Sequence, residues 1–304
     1  MANYDDLFSM QPEAPAEGAA LNPFDRDEFK ARKQAERDEV YALIDSTTDE
    51  MKCSGELFQT CLDVQARFDR YSANNAILIT RQLPEATRLA DFDVWKNENV
   101  RVNKGEKSIA ILEPSKKTYT REDGSTGTNF NVKRVFDVSQ TNSTQKVTPT
   151  VTRDERLLLK SLISHAPCQM KISDNLAENM NAIYSPKEKT IYVRQGMDAP
   201  DIFRALSSEL AHAHMSQGDA DYKRTGNLNT AYCVSYVLCK RYGVPTDRFS
   251  FDRMPEEYAK MDNQEFRKEL TKIHDVAGEI SRDMNRVLDA QERAKNERSS
   301  EDAR

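Results

Sequence analysis

The spacing of apolar residues changes period twice along this chain, and that change limits the fold more than any single residue does. From 26 to 83 apolar side chains recur three, four and seven apart, as in Val40, Leu43, Ile44 and Met51 and again in Leu57, Cys61, Val64 and Phe68. That is the spacing of one helical face. Residues 71–82 predict a further short helix, entered through Ser72 and stopped by Pro84. Between Val94 and Val138 the period shortens. Residues 108–112 and 130–138 read as strands, with the polar stretch 115–128, which holds Asp123-Gly124 and Gly127, as a long hairpin connection. Helical spacing then returns at 153–163, 200–216 and 228–242, interrupted by a hairpin at 182–184 and 190–193. Asp198 or Asp201 is placed to cap the second of these helices, and Gly243 with Pro245 closes the third. Helices with a small antiparallel sheet, then helices with a hairpin, make an α+β chain.

At 304 residues the chain has room for two domains. The Ser/Thr/Asn/Gln-rich stretch 141–149 is the natural boundary, which gives a first domain at 26–145 and a second at 150–254. Residues 1–25 bury too little to order and are expected to be a disordered tail, and 255–304 a charged helical tail that is periodic to Leu288 and frayed over its last dozen residues. No apolar run approaches the roughly 20 residues a membrane helix needs. Residues 1–17 are acidic and rich in Pro and Ala with no apolar signal core, so a cytoplasmic protein with no membrane partner is expected. Five scattered cysteines without a Cys-x-x-Cys pair argue for reduced thiols over a zinc ribbon or disulfide framework. A net charge of -6 argues against wholesale nucleic-acid binding, yet from Trp95 to Arg134 there are nine basic and five acidic side chains.

The helix at 200–216 contains Ser208-Glu209-Leu210-Ala211-His212-Ala213-His214. Peptidases of the His-Glu-x-x-His class set two imidazoles at i and i+4 on one helical face, around a metal, with the glutamate activating the bound water. Glu209 and His212 occupy two of those places, and Ser208, a poor zinc ligand, occupies the first. His214 lies about 200° round the helix from His212. The alternative on residues alone is a core stripe of Phe203, Leu206, Leu210 and Ala213, with Glu209 and His212 hydrogen-bonded beside it. With the preceding hairpin and the following helix Ala231–Cys239, the segment resembles the zincin-like peptidase half of ArdC-type antirestriction proteins and their IrrE/ImmA-like relatives. In that family an acidic third ligand stands just before the apolar body of the second helix. Here 227–232 carries no carboxylate, and Thr230 stands in that stretch.

A second series runs Tyr71-Ser72-Ala73-Asn74-Asn75, then Trp95, then Lys104-Gly105-Glu106-Lys107-Ser108-Ile109, then Phe136-Asp137-Val138-Ser139-Gln140-Thr141. It resembles, in the same order, the N-terminal single-stranded-DNA-binding domain of ArdC-type proteins. The resemblance implies a nucleic-acid interface at Tyr71, Asn74, Asn75, Trp95, Lys104 and Lys107, to which the local excess of positive charge adds Arg101, Lys133 and Arg134. Cationic side chains there would follow phosphates, and aromatic rings would stack bases. Each has a plainer alternative: Trp95 in the core, 104–107 a solvated turn, Asn74 and Asn75 bracing a helix.

The expectation is therefore a phage or mobile-element protein that binds single-stranded DNA in an antirestriction or defence-evasion role. It is expected to have an inactive peptidase-like domain and no cofactor, and to take single-stranded DNA and a host nuclease or defence protein as partners. Two alternatives stand beside it. One is an active zinc metallopeptidase using His212, His214 and Asp219 or Asp221. The other is an interaction module whose charged helix at 255–288 docks on and inhibits a host factor.

Overall fold

The computed structural model describes residues 26–120, 124, 126–143 and 154–301. The expected tail at 1–25 and residues 144–149 of the expected boundary at 141–149 lie outside them. The chain divides into two compact units, 1–39 and 40–304. In the first, the described part is helical and solvated, held by short-range pairs such as Lys30–Asp27 and Lys33–Glu36.

Helix α1 (Arg26–Lys52) enters the second unit at Val40, where α2 (Gly55–Arg67) and α3 (Ala73–Gln82) follow it. Ser54 caps α2 and Ser72 caps α3, each through its hydroxyl to a backbone N–H of the first turn. Strand β1 (Leu89–Ala90) and helix α4 (Phe92–Asn97), neither of which the apolar pattern marked, come next. Asp91 caps α4 by accepting from the Val94 N–H at 2.9 Å. Strands β2 (Ile109–Thr120) and β3 (Thr126–Asp137) form an antiparallel ribbon, with sheet order β1-β3-β2. The expected long connection at 115–128 is therefore mostly strand. Thr118, Tyr119, Thr120, Thr126 and Thr128 are β-formers that pair across the ribbon past an irregularity at Pro114–Thr118.

Then α5 (Glu155–Ser164), β4 (Gln169–Ile172), β5 (Ala182–Ser185), β6 (Thr190–Val193), α6 (Ala199–Ser216), α7 (Leu228–Tyr242), α8 (Met254–Tyr258) and α9 (Asn263–Glu301) complete the chain. Asp198 is the cap of α6, and Gly243, at φ 73°, ends α7 in the left-handed conformation glycine tolerates best. β4, unmarked in the sequence, runs parallel to β6, while β5 pairs antiparallel to it.

The charged helix expected as a tail is a core element instead. Phe266, Leu270, Ile273, Ala277, Ile280, Met284 and Leu288 recur every three or four residues and are buried, each large side chain contributing about 2 kcal/mol. Helix-favouring Ala, Gln, Glu, Lys and Arg carry α9 past Leu288 to Glu301, into the last dozen residues where fraying was expected. Rings tie the helices together: Phe58 of α2 meets Tyr258 at 5.2 Å, and Tyr236 of α7 meets Phe251 at 4.8 Å. Tyr236 also donates to Asp63, and Arg241 donates to the Ala66 and Gln65 carbonyls. These bonds join α2 to α7, so the segments before and after the expected boundary share one core.

Candidate functional site

The residues of the N-terminal series divide into those that build a platform and those that stand on it. Strand β2 lies at the edge of its sheet, where unpaired backbone groups need partners. Two amides of α3 supply them. Asn75 donates to the Leu112 carbonyl at 2.9 Å and accepts from the Leu112 N–H at 2.7 Å. Gln82, seven residues on and hence on the same helical face, does the same for Ala110 at 2.9 and 2.8 Å. Asn75 is buried and fully committed, so it seals the strand edge and is closed to nucleic acid. Asn74 is half-buried and Tyr71 half-buried, its ring edge-on to Phe68.

Trp95 is also corrected: it is 0% exposed, its indole N–H donates to the Phe136 carbonyl at 3.1 Å, and the Arg88 guanidinium lies 4.8 Å over its ring. No base can stack on it.

The segment 136–142 braces the basic turn. Buried Asp137 accepts from the N–H groups of Thr87 and Arg88 with one oxygen and from Ser139 with the other. Gln140 accepts from the Asp137 N–H at 2.9 Å and donates to the Lys107 carbonyl at 2.8 Å and to Glu106 at 3.1 Å. The Gln140 carbonyl accepts from Asn103, and Asn142 bonds both ways with the backbone of Arg101. Gly105, at φ 92°, completes the turn where a side chain would strain it. Arg101, Lys104 and Lys107 are exposed, and among the described residues none is ion-paired. Arg134 is exposed on β3. Lys133 is different: its ammonium lies 3.0 Å from Asp91 and 3.0 Å from Glu113. Those two partners hold its proton more tightly than usual, and Asp91 is in turn held below the usual carboxylate range by the Val94 N–H and Lys133.

On α6, Ser208 and Glu209 line a cleft of about 460 Å³ together with Arg204 and Arg248, both of which pair with Asp201. Glu209 is buried, and both its oxygens are taken. Arg224 grips it through Nη1 to Oε2 and through Nη2 to Oε1 at 3.0 Å, and the Tyr184 N–H donates to Oε2 at 2.7 Å. His212 is 1% exposed with Nδ1 2.9 Å from the Tyr222 hydroxyl. Burial pushes its pKa down to about 3, helped by the positive charges of Arg224 and Lys272. His214 faces elsewhere and pairs with Glu279 of α9 at 3.2 Å. Asp219 and Asp221 sit in the turn after α6, joined by Asp221 N–H to Asp219 at 2.9 Å. Among the described residues no three His, Cys, Asp or Glu side chains come together as ligands, so the set His212, His214 and Asp219 or Asp221 is not assembled. Thr230 donates to Glu269 of α9, and Lys272 donates to Asn227.

Sequence reasoning missed Arg224, Tyr222, Tyr184, Glu269 and Lys272. One signal pointed to Arg224. A buried carboxylate requires a partner, and the stretch between α6 and α7 offers only Lys223 and Arg224 as cations. Cys61, Cys233 and Cys239 are buried and free, Cys168 is half-buried, and Cys53 is exposed. No helix of the described residues is long and apolar enough to cross a membrane.

A family model for the N-terminal domain of anti-restriction factor ArdC matches residues 34–153. An uncharacterized protein of Bacillus anthracis is 24% identical over 76% of the chain, and the match takes in 48% of that relative, so the chain spans about half its length. The antirestriction protein ArdC from the R388 plasmid matches in two crystal structures. The Mn(II)-bound one is 16% identical with a TM-score of 0.50, over 70% of this chain and 88% of that one. The metal-free one is 15% identical with a TM-score of 0.48, over 71% and 85%. At such identities the likeness is one of fold.

Proposed function

We propose that this chain, whose residues 34–153 match the N-terminal domain of the anti-restriction factor ArdC, is an ArdC-type protein that works by binding single-stranded DNA and not by cutting peptides. The observation that carries the first half is the basic turn. Arg101, Lys104 and Lys107 project from a backbone pinned by Gln140 and Asn142, none of them ion-paired among the described residues, while the turn's own carboxylate, Glu106, accepts from Gln140. A braced turn with more cations than carboxylates suits phosphates, whose contacts release counterions and read no sequence. Such a protein, carried by a phage or other mobile element and acting in the cytoplasm, would shield DNA from host nucleases.

The second half rests on what surrounds His212. A divalent metal of the kind the R388 relative holds does not fit these residues. The first ligand position is Ser208, no carboxylate stands at 227–232 as a third ligand, and Arg224 and Lys272 add positive charge beside His212. Glu209, the place of the water-activating base, is committed to Arg224 and the Tyr184 N–H.

Titration of labelled single- and double-stranded oligonucleotides over a range of salt tests the binding reading. Each phosphate contact on a single strand adds about -0.7 to the log-log salt slope, so Lys104→Ala with Lys107→Ala is expected to flatten it by roughly 1 to 1.5. Equal affinity for duplex and single strand, or an unchanged slope in the double variant, would remove the reading's physical support.

A further inference from the structure

A second cleft, of about 540 Å³, opens between the start of α3, the start of α4 and the irregular part of the β2–β3 ribbon. Its chemistry differs from that of the basic turn. Val94 and Phe130 are large apolar side chains left exposed in it, at 41% and 36%, and Tyr71 closes it on the α3 side. Burial raises the Tyr71 hydroxyl pKa, so the phenol remains a neutral donor. The Lys133 ammonium at the cleft is already held between Asp91 and Glu113. A phosphate would gain little from a cation that two carboxylates have compensated, and it would meet both of them. A flat, uncharged ring with a polar edge suits the same surroundings: aromatic and aliphatic walls for its faces, and a carboxylate and an ammonium for its edge. Glu113 is the available carboxylate, with a side chain 54% exposed and only one oxygen engaged by Lys133, whereas Asp91 also caps α4.

We propose that this cleft receives one unstacked nucleobase of the bound strand, its faces against Phe130 and Tyr71 and its edge at Glu113 and Lys133, and that it favours cytosine over thymine. A carboxylate accepts from the exocyclic amino group of cytosine, while thymine presents a carbonyl oxygen at that position and meets Glu113 with repulsion. Lys133 keeps a proton to donate to the adjacent ring nitrogen or carbonyl of cytosine. The proposal rests on the single-strand reading above and adds a base-selective subsite to phosphate contacts that are blind to sequence.

The test is fluorescence anisotropy of the full chain with labelled deoxycytidine and deoxythymidine homopolymers of equal length, at neutral pH and fixed salt. The parent is expected to bind the cytidine strand on the order of tenfold more tightly. Glu113→Gln keeps the size of the side chain but gives it both a donor and an acceptor, and should bring the two strands to within about twofold. Phe130→Ala should weaken both strands by about tenfold without moving the thermal midpoint, since its ring is exposed. A parent that binds the two strands alike, a Glu113→Gln variant that keeps the preference, or a Phe130→Ala variant that binds as the parent does would each overturn the subsite and leave the single-strand reading standing. Failure of the parent to bind either strand would remove that reading as well.

Discussion

Arg224 clasps Glu209 in a two-pronged ion pair, Nη1 to Oε2 and Nη2 to Oε1 at 3.0 Å, at the place on α6 where a peptidase of this helix pattern would keep its catalytic base. The Glu209 side chain is 7% exposed and that of Arg224 27%, so the carboxylate has little water to turn to if the arginine is removed. Arg224→Met should destabilise the protein by about 2 to 4 kcal/mol, because a buried charge left alone is costly. Adding Glu209→Gln should recover most of that loss. Urea midpoints of the parent, the single and the double variant decide it, and a double variant no more stable than the single would show that the pair carries no such weight.

The same arginine is expected to oppose metal binding, since its charge lies beside His212. After dialysis the parent is expected to hold no stoichiometric zinc or manganese, since one imidazole beside two cations binds either poorly. Ser208→His with Thr230→Glu restores the missing ligand types but leaves Arg224 in place, and should still bind no metal. Adding Arg224→Ala to that pair should admit about one ion per chain. Elemental analysis finding one zinc per parent chain would reverse the conclusion.

His212 makes stability depend on pH in a defined direction. Its pKa is about 3 in the folded chain and 6.5 as the ordinary value. Between those values the unfolded chain binds the extra proton, so the contribution is fully present above about pH 6.5 and is lost as pH falls toward 3. The slope is at most about 1.4 kcal/mol per pH unit. His212→Gln should flatten the stability curve below neutrality relative to the parent, although buried His274, also lowered by desolvation, keeps part of the slope. Parallel curves for parent and variant over that range would refute the assignment.

Trp95 separates core from interface. Trp95→Phe deletes the N–H bond to the Phe136 carbonyl and part of the contact under Arg88, so a loss of about 1 to 3 kcal/mol is expected. Affinity for single-stranded DNA should stay within about twofold of the parent, because no base reaches a buried ring. Lost affinity at an unchanged thermal midpoint would put the tryptophan back on the surface.

What the sequence determined by itself is whatever its near neighbours decide. Ser72 and Asp198 start α3 and α6 because a short polar side chain bonds N–H groups two or three residues ahead. Gly243 stops α7, and the strands at 182–185 and 190–193 close over a short turn, each within a few residues of the signal that marks it. The exposed charge of Arg101, Lys104 and Lys107 was legible for the same reason, as was the gap left by Ser208. Tertiary structure alone decided which partner each buried polar group found. Asn75 meets Leu112 from 37 residues away, Asp137 meets Thr87 from 50, and Arg224 reaches back 15 to Glu209. It also turned Lys133 from a phosphate contact into the middle of an Asp91–Glu113 pair, brought β4 alongside β6, and drew the charged helix α9 into the core. A buried donor or acceptor must be satisfied, but nothing in its own segment says by whom. The choice follows from which helices and strands the hydrophobic core brings together.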